Sequence, residues 1–173
     1  MEPTMALSER MKALQTAMDS YGQTSIDHFR RIHAFGDEII DGLCGYLGEG
    51  ANVKGVPPQG DWELGDYHGE KFSDFHHRII GIGPVDMGVA IGIPHLRDEG
   101  VLWLRIVVTI GIEENEFSVG IADEPFIRGI PFDYRVTDLE RVHRSIFEYV
   151  KRIFENPVLA ATAGLRGKIG FLG

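Results

Sequence analysis

Residues 78–122 read RIIGIGPVDMGVAIGIPHLRDEGVLWLRIVVTIGIEENEFSVGIA. Successive side chains of a strand point to opposite faces, so the alternation in this stretch can be read directly. One face collects Ile80, Ile82, Met87, Val89, Ile91 and Ile93, then Leu102, Leu104, Ile106, Val108, Ile110 and Ile112, then Phe117, Val119 and Ile121. The other collects Gly81, Gly83, Gly88, Ala90, Gly92, Gly111, Ser118, Gly120 and Ala122, with Trp103, Arg105 and Thr109 among them. Glycine within a strand costs roughly 0.5–1 kcal/mol relative to alanine and buries no side chain. A face made of it implies close approach of other groups to the backbone, or a sharply bent sheet. Three arrangements satisfy that requirement: a helix packed tightly on the small face, a strongly coiled sheet, or a groove for a ligand or partner.

Working outward, the connections between these strands are too short for crossover helices, which predicts an antiparallel meander of about five strands. Pro84, Pro94 and Pro131 each end a strand or sit on an edge, because proline cannot donate to the ladder. Glu113, Glu114 and Asn115 form a short turn between the strands 101–112 and 116–122.

Upstream, Leu7, Met11, Leu14 and Met18 recur at helical spacing, and Ser20-Tyr21-Gly22 reads as a stop. A second helix is expected from Thr24 or Ser25, burying Ile32, Phe35, Ile39, Leu43 and Tyr46, with close packing or fraying at Gly36, Gly42 and Gly45. Residues 48–60, with Pro57-Pro58, read as a loop. Downstream, Thr137 and Glu140 suggest a capping box opening a helix whose stripe is Leu139, Val142, Ile146, Val150 and Ile153, flanked by Phe147, Tyr149 and Phe154. Asn156-Pro157 ends it, and the small, apolar tail 158–173 either adds an edge strand, packs on the small face or crosses to a second subunit. The expectation is one α+β domain over 1–173: a helical pair at 5–48, the sheet at 62–132, a C-terminal helix at 137–155 packed on the sheet, and the tail.

Bulk properties narrow the function. The 173 residues carry a net charge of −9, which disfavours binding to nucleic acid or an anionic membrane. The single cysteine, Cys44, cannot form an internal disulfide and points to a reducing compartment. The first nineteen residues hold Glu9, Arg10 and Lys12 and lack the apolar core of a secretory signal, and no stretch approaches the ~20 apolar residues that span a bilayer. A cytoplasmic, soluble protein is expected.

Two constellations can carry chemistry. If residues 69–73 turn a hairpin, Asp66 lies opposite His76 and His68 opposite Asp74, all on one face. Two imidazoles and two carboxylates suit a divalent ion, and a metal-bound water would then serve a hydrolase; the competing reading is a solvated hairpin with ordinary Asp–His contacts. Trp103 and Arg105 share the small face two residues apart, where arginine can take a carboxylate or other anion beside a flat indole wall. With Thr109 and the strand-end His95 they form the candidate ligand-binding set; the competing readings are an arginine paired internally and a polar connecting loop.

The chain has no Gly-x-Ser-x-Gly elbow and no phosphate-binding loop. Its order of helix, antiparallel strands and helix superficially resembles restriction-endonuclease-like nucleases. That resemblance implies an acidic residue and then a Glu-x-Lys or Asp-x-Lys on adjacent strands, where this chain has Leu104, Arg105 and Ile106. It therefore transfers no residue. The sequence points first to a non-catalytic module, expected as a homodimer, binding a protein partner or small ligand on the glycine-rich face. A metal-dependent hydrolase and an acidic inhibitor or chaperone-like protein for a basic partner are the alternatives.

Overall fold

A computed structural model describes residues 7–62, 82–95, 97, 100–156 and 158, and the backbone of 169–172. The chain forms α1 (Glu9–Leu47), β1 (Asn52–Val56), β2 (Val85–Pro94), β3 (Val101–Glu113), β4 (Glu116–Ile121), β5 (Ile127–Pro131), α2 (Val136–Glu155) and β6 (Ile169–Leu172). The fold is α+β, with an antiparallel sheet ordered β1-β2-β3-β4-β5. The long β3 runs along β2 on one side. Its other side is shared by β4, opposite residues 108–113, and β6, opposite residues 103–106. The apolar tail thus adds a strand to the sheet, one of its three expected placements.

The expected helical pair is one continuous helix of 39 residues, about 58 Å long at 1.5 Å per residue. Ser8 caps it, its Oγ accepting from the Met11 N–H at 3.3 Å. The predicted stop at Ser20–Gly22 fails for an identifiable reason. A lone glycine costs only about 1 kcal/mol in a helix, and Thr24 opens no new helix: its hydroxyl donates back to the Ser20 carbonyl at 3.0 Å. The helix ends at Gly48, where φ is +89°.

Two other boundaries differ from expectation. Residues 48–60 are not all loop, because β1 lies within them, paired from Asn52↔Gly92 to Val56↔Gly88. A five-residue strand between glycines and prolines carries too little periodicity to be distinguished from a turn region. The second helix begins at Val136, ahead of the Thr137–Glu140 pair, because Asp138 reaches back and accepts the Arg135 N–H at 2.9 Å.

One core joins the second half of α1 and the inner face of α2 to the aliphatic sheet face. Ile32, Phe35, Ile39 and Leu43 meet Val89, Leu104, Ile106, Val108 and Ile110, with Val142, Ile146 and Ile153 closing the layer. Each such aliphatic side chain contributes roughly 1.5–3 kcal/mol on burial. Phe35 stacks on Phe117 with ring centroids 4.2 Å apart, and Tyr134 tilts against Phe35 at 4.8 Å. That cluster fixes α1 on β4. The β3–β4 turn uses Glu114 and Asn115, both at positive φ (51° and 65°), the conformation a two-residue hairpin turn requires.

The helices meet through His143 and Gly42. His143 is 4% exposed. A Cβ on Gly42 would lie 2.5 Å from its Cε1. The close packing expected at Gly42 is thus a seat for an imidazole, whose Nε2 lies 3.0 Å from the Ile39 carbonyl. Burial pushes the His143 pKa below the usual histidine value, outweighing the opposing pull of the carbonyl and Glu140. Folding therefore favours the neutral ring, and protonation favours the unfolded chain. Stability should be complete above about pH 6.5, the unfolded value, and fall as pH drops through and below it. His143→Gln, which keeps a donor for Ile39, should show a smaller fall in urea midpoint between pH 7.5 and 5.5. Equal falls in both proteins would refute this role.

Candidate functional site

The glycine-rich face takes its floor from β2 and β3 and is largely filled by the chain itself. A Cβ on Gly88 would lie 2.5 Å from the Val56 carbonyl oxygen and 2.6 Å from that of Pro57. The Trp103 ring covers Gly92, the Phe126 ring covers Gly120, and Ser118 and Pro84 lie over Gly111. Small residues are needed here because the end of β1 with Pro57, and the side chains of Trp103, Phe126, Ser118 and Pro84, come within contact of the backbone. This is the close approach implied by the alternation, achieved by loops and rings where the sequence suggested a helix, coiling or a ligand.

Trp103 and Arg105 lie together, as their spacing predicted. Trp103 is buried with Val56, Trp62 and Ala90 in a small second core, and the Lys54 ammonium lies 5.4 Å from its ring centroid. Arg105 is 9% exposed. Its Nη1 donates to the carbonyls of Pro57 at 3.1 Å and Gly60 at 2.8 Å, and its Cζ sits 5.6 Å from the Trp62 ring centroid. The arginine therefore fastens the 57–62 segment over the sheet. The arginine is internal, one of the arrangements envisaged from sequence, and among the described residues it donates to the Pro57 and Gly60 carbonyls.

The other two candidates stand elsewhere. Thr109 is four residues beyond Arg105 along β3, about 13 Å at strand rise, and donates to Asp86 at 2.6 Å. His95 lies just past β2, its N–H bonded to the Gly100 carbonyl at 3.0 Å. Asp66, His68, Asp74 and His76, the proposed metal ligands, fall outside the described residues. Among the described residues, no group of three or more His, Cys, Asp or Glu side chains is placed to hold a metal ion. Nor is any described helix long and apolar enough to cross a membrane.

The opposite side of the sheet holds a cleft that sequence reasoning missed. Its volume is about 450 Å³, and it lies where the end of α1, the end of β2 and the last turns of α2 converge. Ile91 and Ile93 form the floor, Leu47 and Ala51 one wall, and Phe147, Val150 and Phe154 the other. The turn from α1 into β1 shapes the rim through Gly48 and Gly50, both at positive φ (89° and 82°). Lys151 and Glu155, 3.7 Å apart, and Glu49 supply charge at the mouth. Phe147 and Phe154 stay 39% and 45% exposed. Their spacing of seven residues was the available signal: two aromatics on one helix side, beside the stripe but outside it.

A second, polar depression of about 180 Å³ lies beside Tyr149. There the Tyr149 hydroxyl donates to Asp123 at 3.1 Å and Arg152 pairs with Glu124. Burial, reinforced by Asp123, pushes the Tyr149 pKa well above the usual phenol value. The hydroxyl stays protonated and ties α2 to the turn after β4.

No family model, curated protein or solved structure matches this chain. A functional reading therefore rests on the geometry of these surfaces.

Proposed function

We propose that the protein is a non-catalytic binding module that takes a small, largely apolar ligand in the cleft between α1, β2 and α2. One observation carries this reading: a concavity of about 450 Å³, walled by aliphatic side chains and two half-exposed phenylalanine rings, with charge confined to its mouth. Ligand sites are commonly clefts of roughly 300–1,000 Å³ with apolar walls and a few polar groups that orient the ligand. The ligand's apolar body would lie on Ile91 and Ile93. Its polar end would meet Lys151, Glu155 or Glu49, in a mouth with one more carboxylate than ammonium.

This reading moves the binding surface off the glycine-rich face, whose centre is occupied by Trp62, Trp103 and the segment held by Arg105. The apolar dye anilinonaphthalene sulfonate is a suitable probe. Ala51→Phe should fill the cleft and weaken dye binding at least tenfold with little change in thermal midpoint, while Trp103→Phe should leave it unchanged. Dye binding that survives Ala51→Phe, or that is lost in Trp103→Phe, would reject the cleft as the site.

A further inference from the structure

The first half of α1 is an apolar arm. Leu7, Met11, Leu14, Met18 and Tyr21 stand 4, 3, 4 and 3 residues apart, and they are 46–65% exposed. A spacing that averages 3.5 residues is that of a coiled-coil seam, in which each apolar knob enters a hole on a facing helix. The same helix continues the spacing into the core through Ile32, Phe35 and Ile39, so the arm is a direct extension of a packed rod. Thr16, Ser20, Gly22 and Thr24 are poor helix formers, and an unsupported segment of this length is marginal in water. A facing helix would supply the missing stabilisation.

We propose that the facing helix is the arm of a second copy of this chain, packed antiparallel. Charge argues for the second copy. Across residues 7–24, Glu9 and Asp19 balance Arg10 and Lys12, so the arm is neutral and the rest of the chain carries the whole −9. Two copies therefore repel through their bodies but not through their arms. The positions flanking the seam are Ser8, Gln15 and Gly22 on one side and Arg10, Ala17 and Thr24 on the other. With a single charge among them, they set no like-charge barrier to self-pairing. A lipid-surface helix would instead need a basic polar face.

Orientation follows from the same charges. A parallel pair would bring two acidic bodies side by side, whereas an antiparallel pair sends them to opposite ends. In the antiparallel register, Leu14 meets Met18 of the second copy and Met11 meets its Tyr21, a favourable sulfur–aromatic contact. At the centre, Ala17 faces Ala17 and Gln15 faces Gln15. The arm lies about 40 Å along α1 from the cleft, and either surface can operate without the other. About eighteen residues a side is fewer than in a standard interface, so the dimer should depend on concentration.

Sedimentation velocity of the full chain, from micromolar to several hundred micromolar, tests the proposal. The mass should rise from 19.3 kDa toward twice that value. Leu14→Lys should move the rise at least tenfold higher in concentration, and Thr16→Lys, on the outer face, should not. These side chains are exposed, so the fold of the body is not at stake. A mass of 19.3 kDa throughout, with or without binding of another protein or of vesicles, would overturn the proposal, as would unchanged association of Leu14→Lys. Orientation is read in a Cys44→Ser background with a short bismaleimide. Ala17→Cys should crosslink, and Arg10→Cys, separated from its equivalent by about 18 Å along the antiparallel pair, should not. Equal crosslinking at both positions would overturn the antiparallel arrangement.

Discussion

Arg105→Met should lower folding stability by about 3 kcal/mol and shift tryptophan emission to longer wavelength. The guanidinium makes two charge-assisted hydrogen bonds to the carbonyls of Pro57 and Gly60 while 9% exposed. Hydrogen bonds to charged groups contribute roughly 1.5–3 kcal/mol each, and partners left unsatisfied in a buried setting add to the loss. Methionine fills much of the volume but accepts and donates nothing useful there. The variant can recover part of the loss by letting the 57–62 segment lift away and rehydrate, and that movement would expose Trp62, now 8% exposed. Urea unfolding with emission spectra of the native state measures both effects. A variant as stable as wild type, with unshifted emission, would mean that Arg105 does not hold this segment.

Gly88→Ala comes next in size, at about 2–3 kcal/mol. The added Cβ would sit 2.5 Å from the Val56 carbonyl oxygen and 2.6 Å from that of Pro57. Both obstacles are backbone, so no rotamer change relieves them, and β1 must shift against β2. Overpacking of this kind typically costs 1–3 kcal/mol. Gly83 provides the control, since none of the described residues lies within 4 Å of the Cβ it would carry. Gly83→Ala should stay within about 0.5 kcal/mol of wild type, as surface changes usually do. If the two substitutions cost the same in parallel urea titrations, the glycine face is not closed by the chain that follows β1.

Both predictions bear on how much of the molecule its sequence displays. Alternation in 85–121 carries full information about which residues face the helices, because period two admits no other assignment, and Ile106, Val108 and Ile110 are all buried there. It also carries the demand for small residues on the other face. It does not carry the identity of what approaches. Val56, Pro57 and Phe126 meet Gly88 and Gly120 through tertiary contacts, which leave no periodic trace. The continuity of α1 was obscured by local chemistry: Ser20 and Gly22 read as a stop and Thr24 as a new start, yet Thr24 can satisfy its hydroxyl within the helix. β1 was lost because a short strand among glycines and prolines resembles a turn.

The candidate sites divide along the same line. Trp103 and Arg105 were placed together correctly, because residues two apart on a strand must share a face. Their engagement with Trp62 and the Pro57 and Gly60 carbonyls depends on a segment more than forty positions away in sequence. The cleft draws on Leu47, Ile91, Ile93 and Phe147, from three elements whose convergence is set by packing alone. Phe147 and Phe154 were legible as aromatics beside the buried stripe, but nothing local distinguishes a cleft wall from a core flank.

The most direct test of the binding account is an amide NMR titration of the full chain with anilinonaphthalene sulfonate, mapped residue by residue. Shifts should concentrate at Ala51, at Ile91 to Ile93 and along α2 from Phe147 to Glu155. Shifts centred on Trp103, Arg105 and Thr109, or none at saturating dye, would contradict it.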